Sequence, residues 1–185
     1  MGYRLGGRYI EGLDHLGSGL AFAEKLSGGL RGARVFSDLT PEEATLLAGF
    51  LDVFRVKNGA AFIFEGDDGS FMVVVLSGQV NVFKQFNGPN PKLVASVGTG
   101  KTLGEMSMID GEPRFATCIA AEDTTFAMLD RKGFLQIMEQ RPALASKILL
   151  HLVVLLNQRL RQASAKLLEV MESGERSARR LQQPA

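Results

Sequence analysis

The sequence predicts an α+β fold: an antiparallel β-roll of jelly-roll type (a double-stranded β-helix), flanked by helices and followed by a long C-terminal helix. Three observations predict it. Seven short runs of strand-forming residues succeed one another between residues 53 and 129, with turn residues separating them. A helix with a complete N-terminal signature precedes the first run, and a helical period without a break follows from Pro142.

Residues 1–35 carry glycines at 2, 6, 7, 12, 17, 19, 28, 29 and 32. Each would cost a helix interior about 1 kcal/mol, so this N-terminal extension is expected to hold short helical pieces at best. From residue 36 the β-roll domain begins. Thr40 is placed as N-cap, Pro41 as first helical residue and Glu43 as the capping-box carboxylate of a helix running to about Leu51. Strands follow at residues 53–56, 61–65, 71–76, 79–86, 93–97, 116–120 and 125–129. Asn58-Gly59, residues 66–69, Ser77-Gly78 and residues 87–91 supply the turn chemistry between them.

A helical pattern returns at Arg131 and ends the domain near residue 140. The stretch 141–172 reads as one helix of roughly 45 Å. Along it Leu149, Val153, Leu156, Leu160, Ala163, Leu167 and Val170 recur at alternating spacings of four and three, a coiled-coil seam. Ile148, Leu152 and Leu155 form a second stripe suited to facing the roll. Two apolar faces call for two partners, so the helix is expected to pair with that of a second copy; folding wholly back on its own domain is the alternative. Residues 173–185 are left as a flexible tail.

At 185 residues the chain suits one domain with extensions, and 45% hydrophobic residues with a formal charge of +1 exclude a disordered protein and a wholesale nucleic-acid binder. The longest apolar run, Ile148 to Leu156, is interrupted by His151 and falls short of the roughly 20 residues a bilayer span needs. No membrane partner and a cytoplasmic location are therefore expected. Cys118 is alone in an apolar run and reads as a buried structural thiol. His15 and His151 have no companions at metal-ligand spacing, so no metal or cofactor is expected.

The chemistry concentrates in residues 104–117. Glu105 can accept hydrogen bonds from a sugar hydroxyl, and Arg114 presents a rigid fork of donors suited to phosphate oxygens. Residues 105–109 read as one helical turn whose N-terminal amides, near Met106 and Ser107, favour an anion. Gly111 and Pro113 turn the chain back to Arg114.

Here the chain resembles the cyclic nucleotide-binding domain family, whose phosphate-binding cassette runs Gly-Glu-Leu-Ala-Leu, a variable segment with Gly, then Pro-Arg-x-Ala-Thr. The resemblance extends from about Phe36 to Leu168 through Glu65-Gly66-Asp67, residues 76–80 and Val97-Gly98-Thr99-Gly100. It implies that Glu105 holds the ribose 2′-hydroxyl and Arg114 the cyclic phosphate. Backbone amides at Ser107, Phe115 and Ala116 complete the cradle, with Gly104, Met106 and Thr117 alongside. It also implies a homodimer through the long helix. In the catabolite activator branch, a Thr-Ser pair after Arg-Leu-x-x reaches the base. This chain has Arg159-Leu160-Arg161-Gln162-Ala163-Ser164, which keeps Ser164 only. That branch places a helix-turn-helix domain of about 60 residues after the helix, for which Ser173–Ala185 is too short, so nucleic-acid contact is not expected.

Gly100-Lys101-Thr102 is not a nucleoside-triphosphate loop, because Ala95 stands where that loop needs Gly. Ser107 has no base near it in sequence, so catalysis is not expected. Phe115 occupies a position where the family carries a small or hydroxylated residue, which removes a hydroxyl route to guanine and favours cyclic AMP over cyclic GMP. The expected function is a non-enzymatic cyclic nucleotide sensor signalling to an effector protein. The alternatives are a nucleotide-independent dimeric scaffold in which Glu105 and Arg114 merely close a loop, or a sensor of another cyclic ligand, cyclic GMP or a cyclic dinucleotide.

Overall fold

Two antiparallel sheets face each other across a core to which both contribute alternate residues. The structure, a computed structural model, describes residues 2–22, 36 and 38–181. Its strands are β1 (Gly2–Leu5), β2 (Arg8–Glu11), β3 (Leu13–Ser18), β4 (Asp52–Val56), β5 (Ala61–Ile63), β6 (Phe71–Ser77), β7 (Gln79–Lys84), β8 (Lys92–Gly98), β9 (Thr102–Leu103), β10 (Thr117–Ala120) and β11 (Thr124–Asp130). Helices are α1 (Pro41–Ala48), α2 (Glu105–Asp110), α3 (Arg131–Gln140) and α4 (Pro142–Leu181).

The described strands order as β5-β10-β7-β8 in one sheet, β3-β4-β11-β6-β9 in the other, and a β1-β2 hairpin. One of the chain reversals that join the sheets is especially tight. At Ser77-Gly78 the chain leaves one sheet and enters the other; Gly78 has φ +96°, and a Cβ there would collide with Thr124. The facing residues form one cluster, including Phe62, Val80, Cys118 and Ala120 from one sheet and Phe54, Val73, Leu103 and Phe126 from the other. The Phe126 ring stacks on Phe62 at 4.8 Å and on Phe54 at 5.7 Å, both within the offset-stacking range. In β6, residues 71–75 are all buried. Phe71, Val73 and Val75 join this cluster, so by alternation Met72 and Val74 point to the opposite face.

α1 forms as the sequence dictates: Thr40 Oγ1 accepts from Glu43 N, and Glu43 Oε2 accepts from Thr40 N at 2.9 Å. It ends at Ala48 rather than Leu51, because the chain tightens there, with Gly49 N donating to Leu46 O and Phe50 N to Leu47 O. Glu43 also takes two hydrogen bonds from Lys147 Nζ, at 2.7 and 2.8 Å, fastening the first turns of α4 to α1. α3 is capped by Asp130, whose carboxylate accepts from Gly133 N at 2.6 Å, and it packs on β11.

Three expectations need correction. The N-terminal extension, expected to be helical at best, supplies β1, β2 and β3, and β3 pairs with β4 along the edge of the five-stranded sheet. Gly6, Gly7 and Gly12 sit between the strands, taking φ values of +57°, +84° and +76° in the turns, and one short 3-10 helix, Gly19–Phe22, follows β3. Leu5, Ile10 and Leu13 then enter the core. The second correction concerns β5, which stops at Ile63, because Glu65 N donates to the Thr117 hydroxyl instead of continuing the ladder. The third concerns α4, which continues past Glu172 to Leu181, through residues expected as a tail. Residues 23–35 and 182–185 lie outside the described residues.

The chain divides into two compact units, Met1–Ile148 and Leu149–Ala185, so the first turns of α4 belong with the roll rather than with the stretch 141–172 as expected. Over Pro142–Ser173 this helix is long and apolar enough by composition to cross a membrane, which the short run at 148–156, interrupted by His151, did not reveal. A core helix of a soluble protein meets the same criterion, and Lys147, Arg159, Arg161 and Lys166 along it would each be costly in a bilayer.

Two outcomes test this fold. Leu13 has no exposed surface, so Leu13→Ala should lower unfolding stability by about 2–4 kcal/mol in chemical denaturation, against less than about 0.5 kcal/mol for a residue in a loose extension. The Glu43 carboxyl is held below its usual value of 4.5, first by its hydrogen bond with Lys147 and then by the Thr40 amide. That stabilisation is complete above pH 4.5 and is lost as pH falls through the lower folded value. The melting-temperature gap between wild type and Lys147→Met should therefore narrow on going from about pH 6 to about pH 3.

Candidate functional site

β9 leads into α2 through Gly104, which adopts φ +79°, and Gly111 ends α2 with φ +77° and an N–H to Ser107 O. Between two left-handed glycines the helix holds a single turn and a half, packed on β6. Glu105 and Ser107 face inward, at 1% and 3% exposure, while Met106 is exposed. The Ser107 hydroxyl donates to Pro113 O at 3.4 Å, which ties the two ends of the cassette together.

Arg114 returns beneath this helix. Its side chain is buried at 4% exposure, with the guanidinium carbon 4.2 Å from the centroid of the Phe71 ring. Nη1 donates to Gly104 O at 3.0 Å. Nη2 is buried and has no acceptor among the described residues. Burial pushes the Arg114 pKa below its ordinary value, and attraction to Asp67 partly offsets that. A buried cationic donor left unmatched costs on the order of 1–3 kcal/mol or more, and an anionic acceptor would recover it. Cys118, buried beneath, has its thiol pushed up to about 12 by desolvation and is neutral, as a structural cysteine should be.

Residues 64–70 wrap the other side of the arginine. Gly66 N donates to Arg114 O at 2.9 Å, and Arg114 N donates to Asp67 O at 2.8 Å. Gly69 passes so close that a Cβ there would overlap Ser107 and come within 2.9 Å of Arg114 Nε. Gly104 is equally confined, since its Cβ would meet Arg114 Nη1 and Phe71 O. The sequence marked Gly66 and Gly69 as turn residues; their role as a close-packed wall for Arg114 depends on a contact across the fold. Phe71 and Asp67 were likewise missed as neighbours of the site.

Beyond Arg114 the chain runs along a pocket of about 470 Å³, lined by Glu65, Gly66, Phe83, Gln85, Pro91, Thr117 and Ile119. That is room for a small ligand. Gly66, bonded to Arg114, and Thr117 join this pocket to the arginine. Lys84 Nζ bridges Glu65 Oε1 and Phe115 O, both at 2.7 Å, and lies 4.5 Å from the Phe115 ring centroid. The amide of Gln85 and the ammonium of Lys84 hold the Glu65 carboxyl below its usual range. Phe115 itself is exposed, Ala116 is buried, and the Thr117 hydroxyl is engaged by Glu65 N.

Gly104, Glu105, Met106, Ser107, Arg114, Phe115, Ala116 and Thr117 thus belong to one contiguous cassette. Ser164 lies on α4 in the second unit, where it is exposed. Among the described residues, no three or more His, Cys, Asp or Glu side chains are grouped to hold a metal ion.

Comparison with known proteins gives this cassette a context. The family profile described as Cyclic nucleotide-binding domain matches residues 53–141. The cyclic AMP receptor protein of Thermus thermophilus is 32% identical over 138 residues, 75% of this chain and 62% of its own length. A cAMP-dependent protein kinase regulatory subunit of Aspergillus niger is 33% identical over 105 residues, 56% of this chain and 25% of its own. The chain therefore spans about six tenths of one such relative and a quarter of the other. The crystal structure of a cyclic nucleotide-binding domain from Methylobacillus flagellatus superposes with a TM-score of 0.77 at 34% identity, covering 85% of this chain and 89% of that domain. Since the likeness takes in nearly the whole of a solved domain, cassette and roll together, this chain belongs to the cyclic nucleotide-binding domain family.

Proposed function

We propose that the chain is a non-enzymatic sensor of a cyclic nucleotide, cyclic AMP before cyclic GMP, acting on a partner protein through its C-terminal helix, in the cytoplasm. The observation that carries the binding reading is the buried Arg114 Nη2 with no acceptor of its own. A cyclic phosphate supplies that acceptor, and Glu105, the first residue of α2 in the same cassette, is the carboxylate for the ribose hydroxyl. The adjoining pocket lined by Phe83 and Ile119 has the apolar walls a purine base requires. Phe115 brings no hydroxyl to a guanine edge, which supports cyclic AMP. The names of the Thermus and Aspergillus relatives point the same way.

The output element is α4. Val153, Leu160, Leu167 and Val170 of the proposed seam are all more than half exposed in the single chain, and burying them against a second copy is the favourable use of that surface. Ser164 on the same helix is the proposed contact to the base. Ligand then acts by binding one arrangement of the dimer more tightly than the other.

Titration calorimetry on nucleotide-stripped protein should give micromolar or tighter binding of cyclic AMP, weaker binding of cyclic GMP and none of a cyclic dinucleotide. Arg114→Glu should weaken it by at least about 100-fold, since a charge-assisted pair is replaced by repulsion. No heat with any of the three ligands would favour the scaffold instead. Sedimentation should give a dimer at micromolar concentration, and Leu160→Lys should return it to monomer; a monomeric wild type would remove the paired helix from the proposal.

A further inference from the structure

The β1-β2 hairpin is fastened to the loop that holds the arginine. Arg8, on β2, donates from Nε to Asp67 Oδ2 and from Nη2 to Asp67 Oδ1, each at 2.8 Å, in the two-pronged geometry that favours Arg over Lys. The same guanidinium lies 4.3 Å from the Phe64 ring centroid. Leu5 and Ile10, on either side of the hairpin turn, are anchored in the core, so Arg8 is presented from a fixed strand. Asp67 is the residue whose carbonyl accepts from Arg114 N.

Resting on the reading of Arg114 as the phosphate ligand, we propose that Arg8 is a positioning residue of that site, which engages the Asp67 carboxylate and so keeps it from competing with an anionic ligand for Arg114. Asp67 is only a third exposed, so its charge is incompletely screened by water, and its attraction for the Arg114 guanidinium is felt. A cation held on both carboxylate oxygens cancels that attraction at its source. Removing Arg8 leaves Asp67 as an internal anion beside the site, in competition with phosphate. The hairpin, which no cassette motif contains, thereby sets the affinity of the cassette.

The test uses the full chain as wild type, Arg8→Gln, and Arg8→Gln with Asp67→Asn. Cyclic AMP binding is measured by calorimetry at low and high salt, and the Arg114 side-chain Nε–H signal by NMR without ligand. Arg8→Gln should weaken binding roughly five- to tenfold at low salt, with a smaller loss at high salt. The added Asp67→Asn should restore wild-type affinity to within about twofold, because the competing charge is gone. The Nε–H signal should shift in the single variant and return in the double one. Unchanged binding in Arg8→Gln, or a double variant as weak as the single, overturns the inference, since a hairpin needed only for folding would not be rescued by removing Asp67. If wild type binds no cyclic nucleotide, the site reading falls by itself, and the Nε–H signal then decides the inference: an unmoved signal overturns it.

Discussion

A guanidinium taken almost wholly out of water is the constraint on which the rest of this structure turns. Arg114 cannot shed its charge, so the fold must surround it with acceptors and soft faces. The Gly104 carbonyl, the Phe71 ring and a backbone bridge from Gly66 and Asp67 do this, and each requires something of the chain. Gly104 must be left-handed to aim its carbonyl inward, and Gly69 must lack a side chain to let Ser107 and Arg114 pack against it. The roll beneath is the rigid frame that keeps these pieces in register, with three stacked phenylalanines holding its two sheets together.

Much of this was legible in the sequence because it is written locally. The capping box at Thr40 and Glu43, the break at Pro142 and the paired glycines 104 and 111 each depend on residues a few positions apart. So does the cassette, whose Glu105 and Arg114 lie close enough in sequence to be read as a pair. What escaped was set by contacts across the fold. Glycines in residues 2–18 argued against helix correctly, yet nothing local said that Leu13 would find β4 and complete a sheet. The two-residue β9 is too short to have a pattern of its own. Gly69, Lys84 and Asp67 look like ordinary turn and strand residues until the roll brings them against residues 107–115.

The site also explains why its second half is less specific in sequence than its first. In the proposed reading phosphate and ribose are each met by one charged group, Arg114 and Glu105, whose donor and acceptor character narrows the choice of residue. The pocket beyond is built from alternate strand residues such as Phe83, Thr117 and Ile119, which serve shape more than chemistry. Lys84 is the exception, since it locks Glu65 and the Phe115 carbonyl together and fixes the exit of the cassette. A departure such as Phe115 can be accommodated there because its ring projects outward while its backbone remains in the cradle.

The energetics of the arginine carry the argument one step further. A protein that buries an unmatched cationic donor accepts a local cost of about 1–3 kcal/mol, which a purely structural ion pair has no reason to retain. If a cyclic phosphate supplies the missing acceptor, occupancy removes that cost and stabilises the arrangement around Gly66, Gly104 and Ser107 in proportion to affinity. Those residues border α2, whose C-terminal Gly111 lies against Arg131, the first residue of α3. The amide of Arg131 in turn donates to Ser70 O, in the same loop that wraps Arg114. Any ligand-dependent tightening of the cassette therefore bears on α3 from both sides, and only one residue, Arg141, separates α3 from α4.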